Sequence, residues 1–343
     1  MKKKKIIVIF IVLLLIFSGL WVIFSSRKPE EIAVTFSPLP DIELNASTLK
    51  IGSNVFPIWL NTTEIIFPNT NQIVSLNIRE LEKAPRDLFK LDKILTSMTA
   101  GENTIVVQTG SPFSNLKTYQ IYKNGKLSTI DLKNYEPVNS LSINTDTEKI
   151  SFIGNYDVNT SSGKLYLYDL NTKKIEGPVF TNISYGNIQW VNNNSAIVYS
   201  FLDTENGETI SYLNLEDKSI KPISSNNIKM SMLAVSPDKT KVLISGPKYL
   251  LLKYPDYPKL DSSLKNESFT GSFIDDENAL ITLTNSPIDF ILLNVNSQQE
   301  KKVETPDTIK GKFIQNIFPS PDYKNLLMKT QDNKWILLGI TKK

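Results

Sequence analysis

Two residue types that serve much of enzyme chemistry are missing from this 343-residue sequence, which has no histidine and no cysteine. Without histidine the chain cannot form a Ser-His-Asp triad, a histidine-ligated zinc site or an imidazole general base. Without cysteine it has no disulfide, no thiolate metal ligand, no thiol nucleophile and no lipidated cysteine. The sequence therefore predicts no catalytic residue, no cofactor and no metal site.

Arginine is scarce as well, since only Arg79 and Arg86 occur after residue 28. Six of the 38 lysines and arginines lie within residues 1–28, so the rest of the chain carries 32 basic against 35 acidic residues. A slightly acidic body with two arginines offers no basic surface for reading phosphates. We therefore predict that nucleic acid is not a partner.

Charge is absent from Ile6 to Phe24, a stretch of nineteen residues that follows four lysines. As a helix rising ~1.5 Å per residue, it spans roughly the ~30 Å hydrocarbon layer, with Trp21 at the far interface. The alternative is a cleaved signal peptide, whose apolar region is usually only ~7 to 15 residues long and ends in a small-x-small site. Ser18 and Gly19 fit that site poorly, so we predict an uncleaved signal anchor within residues 1–28.

The charges around this segment predict its orientation. Four lysines precede it, against Arg27 and Lys28 after it, which places the N-terminus in the cytoplasm by the positive-inside rule. Residues 29–40 contain three prolines among charges and are predicted to be a linker. The protein is thus expected in the cell membrane as a single-pass protein, bound through residues 6–24, with its body outside the cytoplasm (periplasmic or on the cell surface).

From residue 41 onward the sequence repeats a unit of four short apolar runs, most clearly at Asn187–Ser224. The first apolar residue of the second run recurs at intervals of 40, 45, 47, 45, 38 and 46 residues, at Ile65, Ile105, Ile150, Ile197, Val242, Leu280 and Leu326. An apolar residue that closes the first run precedes each of these markers, at Trp59, Met98, Ile143, Trp190, Val235, Phe273 and Phe318. Seven units of four strands predict an all-β protein, a seven-bladed β-propeller over residues 41–343.

Burial of apolar surface explains why the units should form a closed ring. A four-stranded unit has two apolar faces and must stack between two neighbouring units to cover both. The last unit ends at Lys343 without residues for a fourth strand, and counting back from Trp59 predicts that a strand at Asp41–Asn45 completes the last blade. Two units deviate: Glu80–Leu95 is compatible with a helical turn or an irregular fourth strand, and Tyr254–Ser268, with two prolines, is predicted to replace an outer strand by a loop.

Three pieces of the repeat, AVSPDKTKVLIS, QWVNNNSAIVYS followed by ISYLNLEDKSIKPI, and FPSPDYKNLLM, resemble the propeller repeats of TolB-type and WD-repeat-like bacterial proteins. In those repeats a Trp or apolar residue, a Ser-Pro-Asp turn, a β run and a Tyr-x-x-Asp-Leu strand recur. The resemblance covers residues 41–340 and implies a propeller fold and a binding platform, without catalytic residues. Five of the seven turns lack Ser-Pro-Asp, which argues against assignment to one characterised member.

Candidate binding residues come from long loops between the second and third strands. The loops Thr109–Lys117, Gly154–Lys164 and Ser200–Thr209 would share one face of a propeller, and each holds an aromatic residue among polar ones. Rigid aromatic side chains with adaptable polar neighbours are typical of recognition surfaces. The predicted binding residues are Phe113, Tyr156, Asp157, Phe201 and Asp203. In the alternative interpretation the loops vary freely and their aromatic rings pack back onto their own blades.

Two acidic stretches raise the question of other chemistry. Carboxylate pairs can cleave glycosides, but Asp275, Asp276 and Glu277 fall where other units have a polar turn. The stretch Asp157–Gly163 resembles the start of a calcium loop, yet serine and tyrosine stand where glycine and a bidentate Glu are needed, so a hairpin tip is favoured.

The sequence thus predicts a membrane-anchored, extracytoplasmic β-propeller that acts as a non-catalytic binding or scaffold module for a protein or a cell-envelope polymer. One alternative is a carboxylate-dependent glycan hydrolase or lyase of the cell envelope. That enzyme would need three or more acidic side chains converging in the central funnel. Another alternative is an accessory subunit whose anchor helix pairs with a second membrane protein.

Overall fold

In the described part of the chain, short apolar runs form strands and the polar residues between them form turns. The computed structural model describes residues 38–111, 117–144, 148–157, 159–160, 162–184, 186–191, 196–203, 207–222, 231–245, 250–253, 269–283, 286–297 and 299–343. Within these ranges the chain is all-β, with one 3₁₀ turn at Lys133–Tyr135, and no helix there is long and apolar enough to cross a membrane. The predicted anchor at residues 6–24 lies outside the described residues.

The first four antiparallel sheets, numbered in chain order, each have four strands in sequential order. Sheet 1 holds β2 (Ile58–Trp59), β3 (Glu64–Asn69), β4 (Gln72–Asn77) and β5 (Arg86–Lys90). Sheet 2 holds β6 (Leu95–Gly101), β7 (Thr104–Thr109), β8 (Thr118–Lys123) and β9 (Lys126–Ile130). Sheet 3 holds β10 (Asn139–Asn144), β11 (Lys149–Asp157), β12 (Ser162–Asp169) and β13 (Ile175–Ile183). Sheet 4 holds β14 (Asn187–Val191), β15 (Ala196–Asp203), β16 (Gly207–Asn214) and β17 (Ile220–Pro222).

Three further sheets follow, which brings the described residues to seven sheets. Sheet 5 has the three strands β18 (Ser231–Val235), β19 (Lys241–Ser245) and β20 (Leu250–Lys253). Sheet 6 holds β21 (Phe269–Phe273), β22 (Asn278–Leu283), β23 (Phe290–Asn294) and β24 (Glu300–Val303). Sheet 7 holds β25 (Ile314–Pro319), β26 (Asn325–Thr330), β27 (Trp335–Lys342) and, as its fourth strand, β1 (Ile42–Leu49). Residues 39–343 form one compact unit.

The predicted markers lie in the second strand of every sheet. In four sheets the marker pairs directly with the apolar residue that closes the first strand, as in Trp59 with Ile65 and Trp190 with Ile197. Sheet 2 is shifted, because Met98 pairs with Val107 and β6 runs on to Gly101. Glu102 and Asn103 then turn the chain with positive φ at both residues, the geometry that a two-residue hairpin requires.

Consecutive residues of the second strands are buried on opposite faces. Ile65 packs towards sheet 7 and Ile66 towards sheet 2, and neither side chain is exposed to solvent. A sheet covered on both faces needs continuous apolar runs, which is why these strands lack polar alternation. Each sheet is therefore sandwiched between two others.

Six apolar clusters within the described residues lie between neighbouring sheets and join them in chain order. They are represented by Ile66 with Val107 (sheets 1 and 2), Val106 with Phe152 (2 and 3), Leu165 with Trp190 (3 and 4), Leu243 with Phe273 (5 and 6), Phe290 with Met328 (6 and 7) and Leu337 with Phe67 (7 and 1). Sheets 4 and 5 meet through β16 and β18. The packing therefore runs from sheet 1 around to sheet 1 again.

The two ends of the described chain meet in sheet 7. All eight residues of β1 pair with β27, from Ile42 opposite Lys342 to Leu49 opposite Trp335. This confirms the predicted closing strand, although it begins at Ile42 and extends four residues beyond Asn45. The indole nitrogen of Trp59 also donates to the Phe318 carbonyl oxygen (3.0 Å), a bond from the first strand of sheet 1 to that of sheet 7.

The two irregular units differ in outcome. Between Glu80 and Leu95, which was compatible with either a helical turn or a strand, β5 forms a fourth strand with a register shift between Ile73 and Val74. The bulge accommodates residues that do not alternate regularly. The predicted loop at Tyr254–Ser268 lies outside the described residues.

Candidate functional site

The sequence-predicted binding residues fall at the hairpins between second and third strands. Phe113 lies outside the described residues, and Phe201 and Asp203 are described by backbone alone, paired with Thr209 and Gly207. Tyr156 and Asp157 end β11. The structure thus puts Tyr156, Asp157, Phe201 and Asp203 at corresponding hairpin tips of the neighbouring sheets 3 and 4.

The prediction that two of these hairpins are long loops is wrong. Strands β11 and β12 pair as far as Asp157 with Ser162, and β15 and β16 as far as Asp203 with Gly207, so most of Gly154–Lys164 and Ser200–Thr209 is ladder. Polar residues favour the prediction of a loop. Their backbone N–H and C=O groups are nevertheless satisfied when both strands of the hairpin continue to pair. A bulge between Gly154 and Asp157 adds the irregularity.

Tyr156 and Asp157 have local roles in this hairpin. The ring of Tyr156 is half-buried against the cluster between sheets 3 and 4. The main-chain N–H of Tyr156 donates to the Pro137 carbonyl oxygen (3.4 Å). Asp157 Oδ1 accepts the N–H of Asn159 (2.9 Å), the bond of a hairpin tip. No group of three or more acidic residues suited to a metal ion occurs in the part of the chain that the structure describes.

A second set of polar residues comes together at the opposite end of the sheets, where first strands turn into second strands. A cavity of about 600 Å³, here called the turn-end cavity, lies there between sheets 5, 6 and 7. Its lining combines three carboxylates and two ammonium groups with a phenol and an apolar wall: Asp275, Asp276, Asp322, Lys324, Lys342, Tyr323, Ile274, Ile340, Pro237 and Thr341.

The two Ser-Pro-Asp motifs build the frame of this cavity. Ser236 and Ser320 use their hydroxyl groups in the same way, accepting the N–H of a residue five positions later and donating to the Asp of the motif. Asp238 also binds Lys241 Nζ at 2.9 Å. These local bonds explain the sequence motif as turn chemistry.

Asp275 holds the equivalent turn in sheet 6, as the sequence predicted. Its Oδ1 accepts the N–H groups of Glu277 and Asn278 (2.8 and 2.7 Å), and its Oδ2 accepts Lys342 Nζ at 2.6 Å. Burial opposes ionisation of this carboxyl, but the hydrogen bonds from Lys342 and Asn278 outweigh it and lower its pKa. Asp275 is therefore an ionised turn residue, and both of its carboxylate oxygens accept hydrogen bonds within the protein.

Contacts between turns link the three sheets. Asp276 Oδ1 accepts the N–H of Asp238 (2.9 Å), and the hydroxyl group of Tyr323 donates to the Val235 carbonyl oxygen (3.0 Å). Burial, reinforced by the negative charges of Asp276 and Asp238, raises the pKa of Tyr323 to about 12. The phenol is thus a neutral hydrogen-bond donor at any physiological pH.

Sheet 6 has another cavity at its hairpin end, here called the tip-end cavity, with a volume of about 980 Å³. Ile288, Ile291 and Val303 contribute apolar surface, and an ion pair between Lys302 Nζ and Asp289 Oδ2 (2.6 Å) stands at its rim. The Thr305 hydroxyl in its wall is buried without a hydrogen-bond partner among the described residues. The cavity lies on the same side of the sheets as the predicted hairpin tips.

Comparison with known proteins bears on the fold. No protein-family model and no curated protein matches the sequence. Among solved structures, TolB from Acinetobacter baumannii aligns with a TM-score of 0.43 and 12% identity, over 83% of this chain and 79% of that one. The tricorn protease aligns with a TM-score of 0.58 and 13% identity over 88% of this chain, and a prolyl endopeptidase with 0.61 and 9% over 85%.

The likeness to the two peptidases lies in their propeller domains, and this chain spans 34% of the tricorn protease and 45% of the prolyl endopeptidase. The chain has a β-propeller-like fold. At these identities the comparisons show the fold and nothing about activity. The resemblance of the repeats to propeller repeats is confirmed at that level.

In a propeller-like fold the turn-end and tip-end cavities open at opposite ends of the sheets, because an antiparallel meander alternates its connections between its two ends. The binding residues predicted from the sequence lie on hairpins of units two to four, and neither cavity was predicted. Two sequence features mark the turn-end cavity: Ser-Pro-Asp in units five and seven, and Asp-Asp-Glu at the same position of unit six.

Proposed function

We propose that this protein is a single-pass membrane protein that carries a seven-bladed β-propeller outside the cytoplasm. The propeller works as a non-catalytic binding or scaffold module for a protein or a cell-envelope polymer. In this proposal residues 1–28 form the cytoplasmic lysines and the anchor, residues 29–40 the linker, and residues 41–343 the propeller, with each of the seven sheets as one blade.

The uncharged stretch at residues 6–24, flanked by lysines on its N-terminal side, supports the anchor and its orientation. A reporter enzyme that is active only outside the cytoplasm, fused after Lys343, tests both. We expect activity with the full chain and none when residues 1–28 are deleted. Activity in the deleted protein, or inactivity in both, would contradict the proposed topology.

One observation carries the binding role: the turn-end cavity joins apolar surface to polar groups that are already fixed by the protein itself. Asp275 is held by Lys342, and Asp276 holds the N–H of Asp238. Pre-ordered polar groups beside apolar wall are typical of recognition sites, since little further ordering is needed when a ligand binds.

Site-directed photo-crosslinking in intact cells tests this role and distinguishes the two ends. A photoreactive residue replaces Lys324 at the turn end, Lys310 at the tip end, or Leu127 on the outer strand of sheet 2 as a control. We expect one end to capture a defined partner that the Leu127 position does not. Equal capture from all three positions would contradict a dedicated binding end. With a partner identified, joint replacement of Phe113, Tyr156 and Phe201 by alanine tests the predicted hairpin face.

A carboxylate-dependent glycan hydrolase or lyase is the second candidate, and the convergence of three aspartates on the turn-end cavity favours it. The lowered pKa of Asp275 and its bond to Lys342 argue against that residue as the general acid, which must stay protonated until it acts. Asp276 and Asp322 would then serve. Release of soluble fragments from purified cell-envelope glycan by the wild type, abolished by Asp276→Asn, would establish this candidate, and the absence of release would dismiss it.

A further inference from the structure

A lysine side chain is mostly buried at the junction of sheets 1 and 7, and no carboxylate in the described part of the chain pairs with it. Lys329 lies on β26 and is only 7% exposed. Among the described residues it forms no ion pair and no side-chain hydrogen bond. The three residues before it on the strand, Leu326, Leu327 and Met328, are fully buried.

Aromatic rings take the place of a counter-ion. Lys329 Nζ lies 4.2 Å from the ring centroid of Phe56 and 5.8 Å from that of Trp335. Trp335 is fully buried and its indole N–H donates to the Val55 carbonyl oxygen (2.8 Å), so its ring is held in place. Phe56, by contrast, is 54% exposed, and this ring is where the lysine site reaches the surface.

The nearest acidic residue along the chain does not neutralise Lys329. Asp332, in the hairpin that follows β26, accepts the Thr330 hydroxyl group and pairs with Lys334 Nζ at 3.4 Å. A cation held over ring faces keeps its capacity for hydrogen bonds, because a π-face occupies no N–H donor strongly. The ammonium group therefore retains donors for an acceptor that comes from outside the chain.

Stability alone does not account for this lysine. The stem of Lys329 is mostly buried among apolar neighbours, and a methionine of similar length would fill the same space without holding a charge there. The ammonium group of Lys329 and the exposed ring of Phe56 together offer a cationic hydrogen-bond donor beside an apolar face, the two features that an organic anion needs from its site.

We propose that Lys329 and Phe56 form a binding site for an organic anion, a carboxylate or a phosphate ester whose apolar or ring-shaped body packs on the exposed Phe56. The anionic oxygens accept hydrogen bonds from Lys329 Nζ, while Trp335 and its bond to Val55 fix the floor of the site. Phe318, 37% exposed with its ring 6.2 Å from that of Trp335, extends the aromatic surface. The site is separate from both cavities and does not depend on the membrane anchor.

Isothermal titration of the full-length protein in detergent with phenyl phosphate, benzoate and inorganic phosphate tests the proposal. We expect saturable binding of phenyl phosphate or benzoate, and their order of affinity distinguishes a phosphate from a carboxylate ligand. Lys329→Met should weaken binding about tenfold or more, the usual effect of losing a charge-assisted hydrogen bond. Lys334→Met, which removes an exposed lysine from the neighbouring hairpin, should leave affinity within about twofold.

Thermal unfolding of the same variants separates recognition from a structural role. We expect the unfolding midpoint of Lys329→Met to equal or exceed that of the wild type, because the lost charge has no anionic partner among the described residues and methionine keeps the packing of the stem on the rings. Absence of saturable binding to the wild type would overturn the proposal. So would undiminished affinity in Lys329→Met, or equal losses in Lys329→Met and Lys334→Met.

Discussion

The phenolic hydroxyl group of Tyr323 donates a 3.0 Å hydrogen bond to the main-chain carbonyl oxygen of Val235, 88 residues earlier in the chain. The bond joins a turn of sheet 7 to the first strand of sheet 5, with sheet 6 between them in sequence. The same tyrosine lines the turn-end cavity. Adjacent sheets are held by apolar packing, and this bond adds a specific link between sheets that are not consecutive.

Replacing Tyr323 by phenylalanine removes only the hydroxyl group. We expect the free energy of unfolding to fall by ~0.5–1.5 kcal/mol, because the Val235 carbonyl loses its partner in a half-buried position. Chemical denaturation measures the change. Tyr122→Phe is the matched control, since that ring stacks on Phe89 and no described residue bonds its hydroxyl group. A Tyr323 effect no larger than that of the control would contradict the structural role.

The same tyrosine predicts a pH dependence in the alkaline range. The pKa of Tyr323 is raised from 10 to about 12 in the folded protein, chiefly by burial. Between these values the unfolded chain loses the proton while the folded one keeps it, so stability falls as pH rises from about 10 to 12. Melting curves over that range should show a shallower decline for Tyr323→Phe than for the wild type. Parallel curves would contradict the prediction.

Asp238 predicts the opposite trend in acid. Burial opposes its ionisation, but hydrogen bonds from Ser236, Lys241 and Thr240 outweigh that effect and lower its pKa to about 2. The stabilisation is complete above the unfolded pKa of 3.8 and is lost as pH falls from there towards 2. Asp238→Asn should cost about 1–2 kcal/mol at neutral pH and flatten the decline below pH 4. Asp307→Asn, at an exposed carboxylate without a hydrogen bond among the described residues, is the control and should leave stability at neutral pH unchanged.

Deletion of β1 tests how the ring of sheets closes. Leu44 and Leu49 are buried in the clusters that β27 shares with sheets 6 and 1. Removing residues 1–50 exposes this surface and the edge of β27, so we expect the melting temperature to fall by on the order of 10 °C. Removing residues 1–37 leaves β1 intact and should leave the midpoint of the body unchanged. Equal midpoints for the two truncations would show that β1 contributes nothing to closure.

A glycine on the first strand of sheet 6 allows a steric test. A Cβ on Gly271 would lie 2.5 Å from the Leu280 carbonyl oxygen and 2.9 Å from Ile281 Cα, and backbone cannot move away cheaply. Gly271→Ala should therefore destabilise the protein by roughly 1–3 kcal/mol. At Gly52 the nearest atom is a side-chain carbon of Val55 at 3.5 Å, so Gly52→Ala is the control and should be close to neutral. Comparable midpoints for the two variants would contradict the close approach.

The repeat of apolar residues along the sequence is enough to predict most of the strands and their grouping into sheets. Strands covered on both faces need uninterrupted apolar runs, so Ile65, Ile105 and their equivalents mark second strands whatever their surroundings. The turns could also be predicted from the sequence, as Asp275 and the two Ser-Pro-Asp motifs demonstrate. The closing strand also followed from the spacing of the runs, because counting back from Trp59 reaches Asp41–Asn45. These features depend on neighbours within a few residues or on a fixed period.

Tertiary structure alone decided where polar side chains from different units meet. Polar residues after Gly154 look like a loop in sequence, yet the ladder continues to Asp157, because a hairpin extends wherever both strands can pair. Tyr323 reaching Val235, three aspartates lining one cavity, and Lys329 left between aromatic rings each depend on packing between distant sheets. No local pattern encodes such contacts, since they arise only when the sheets stack side by side.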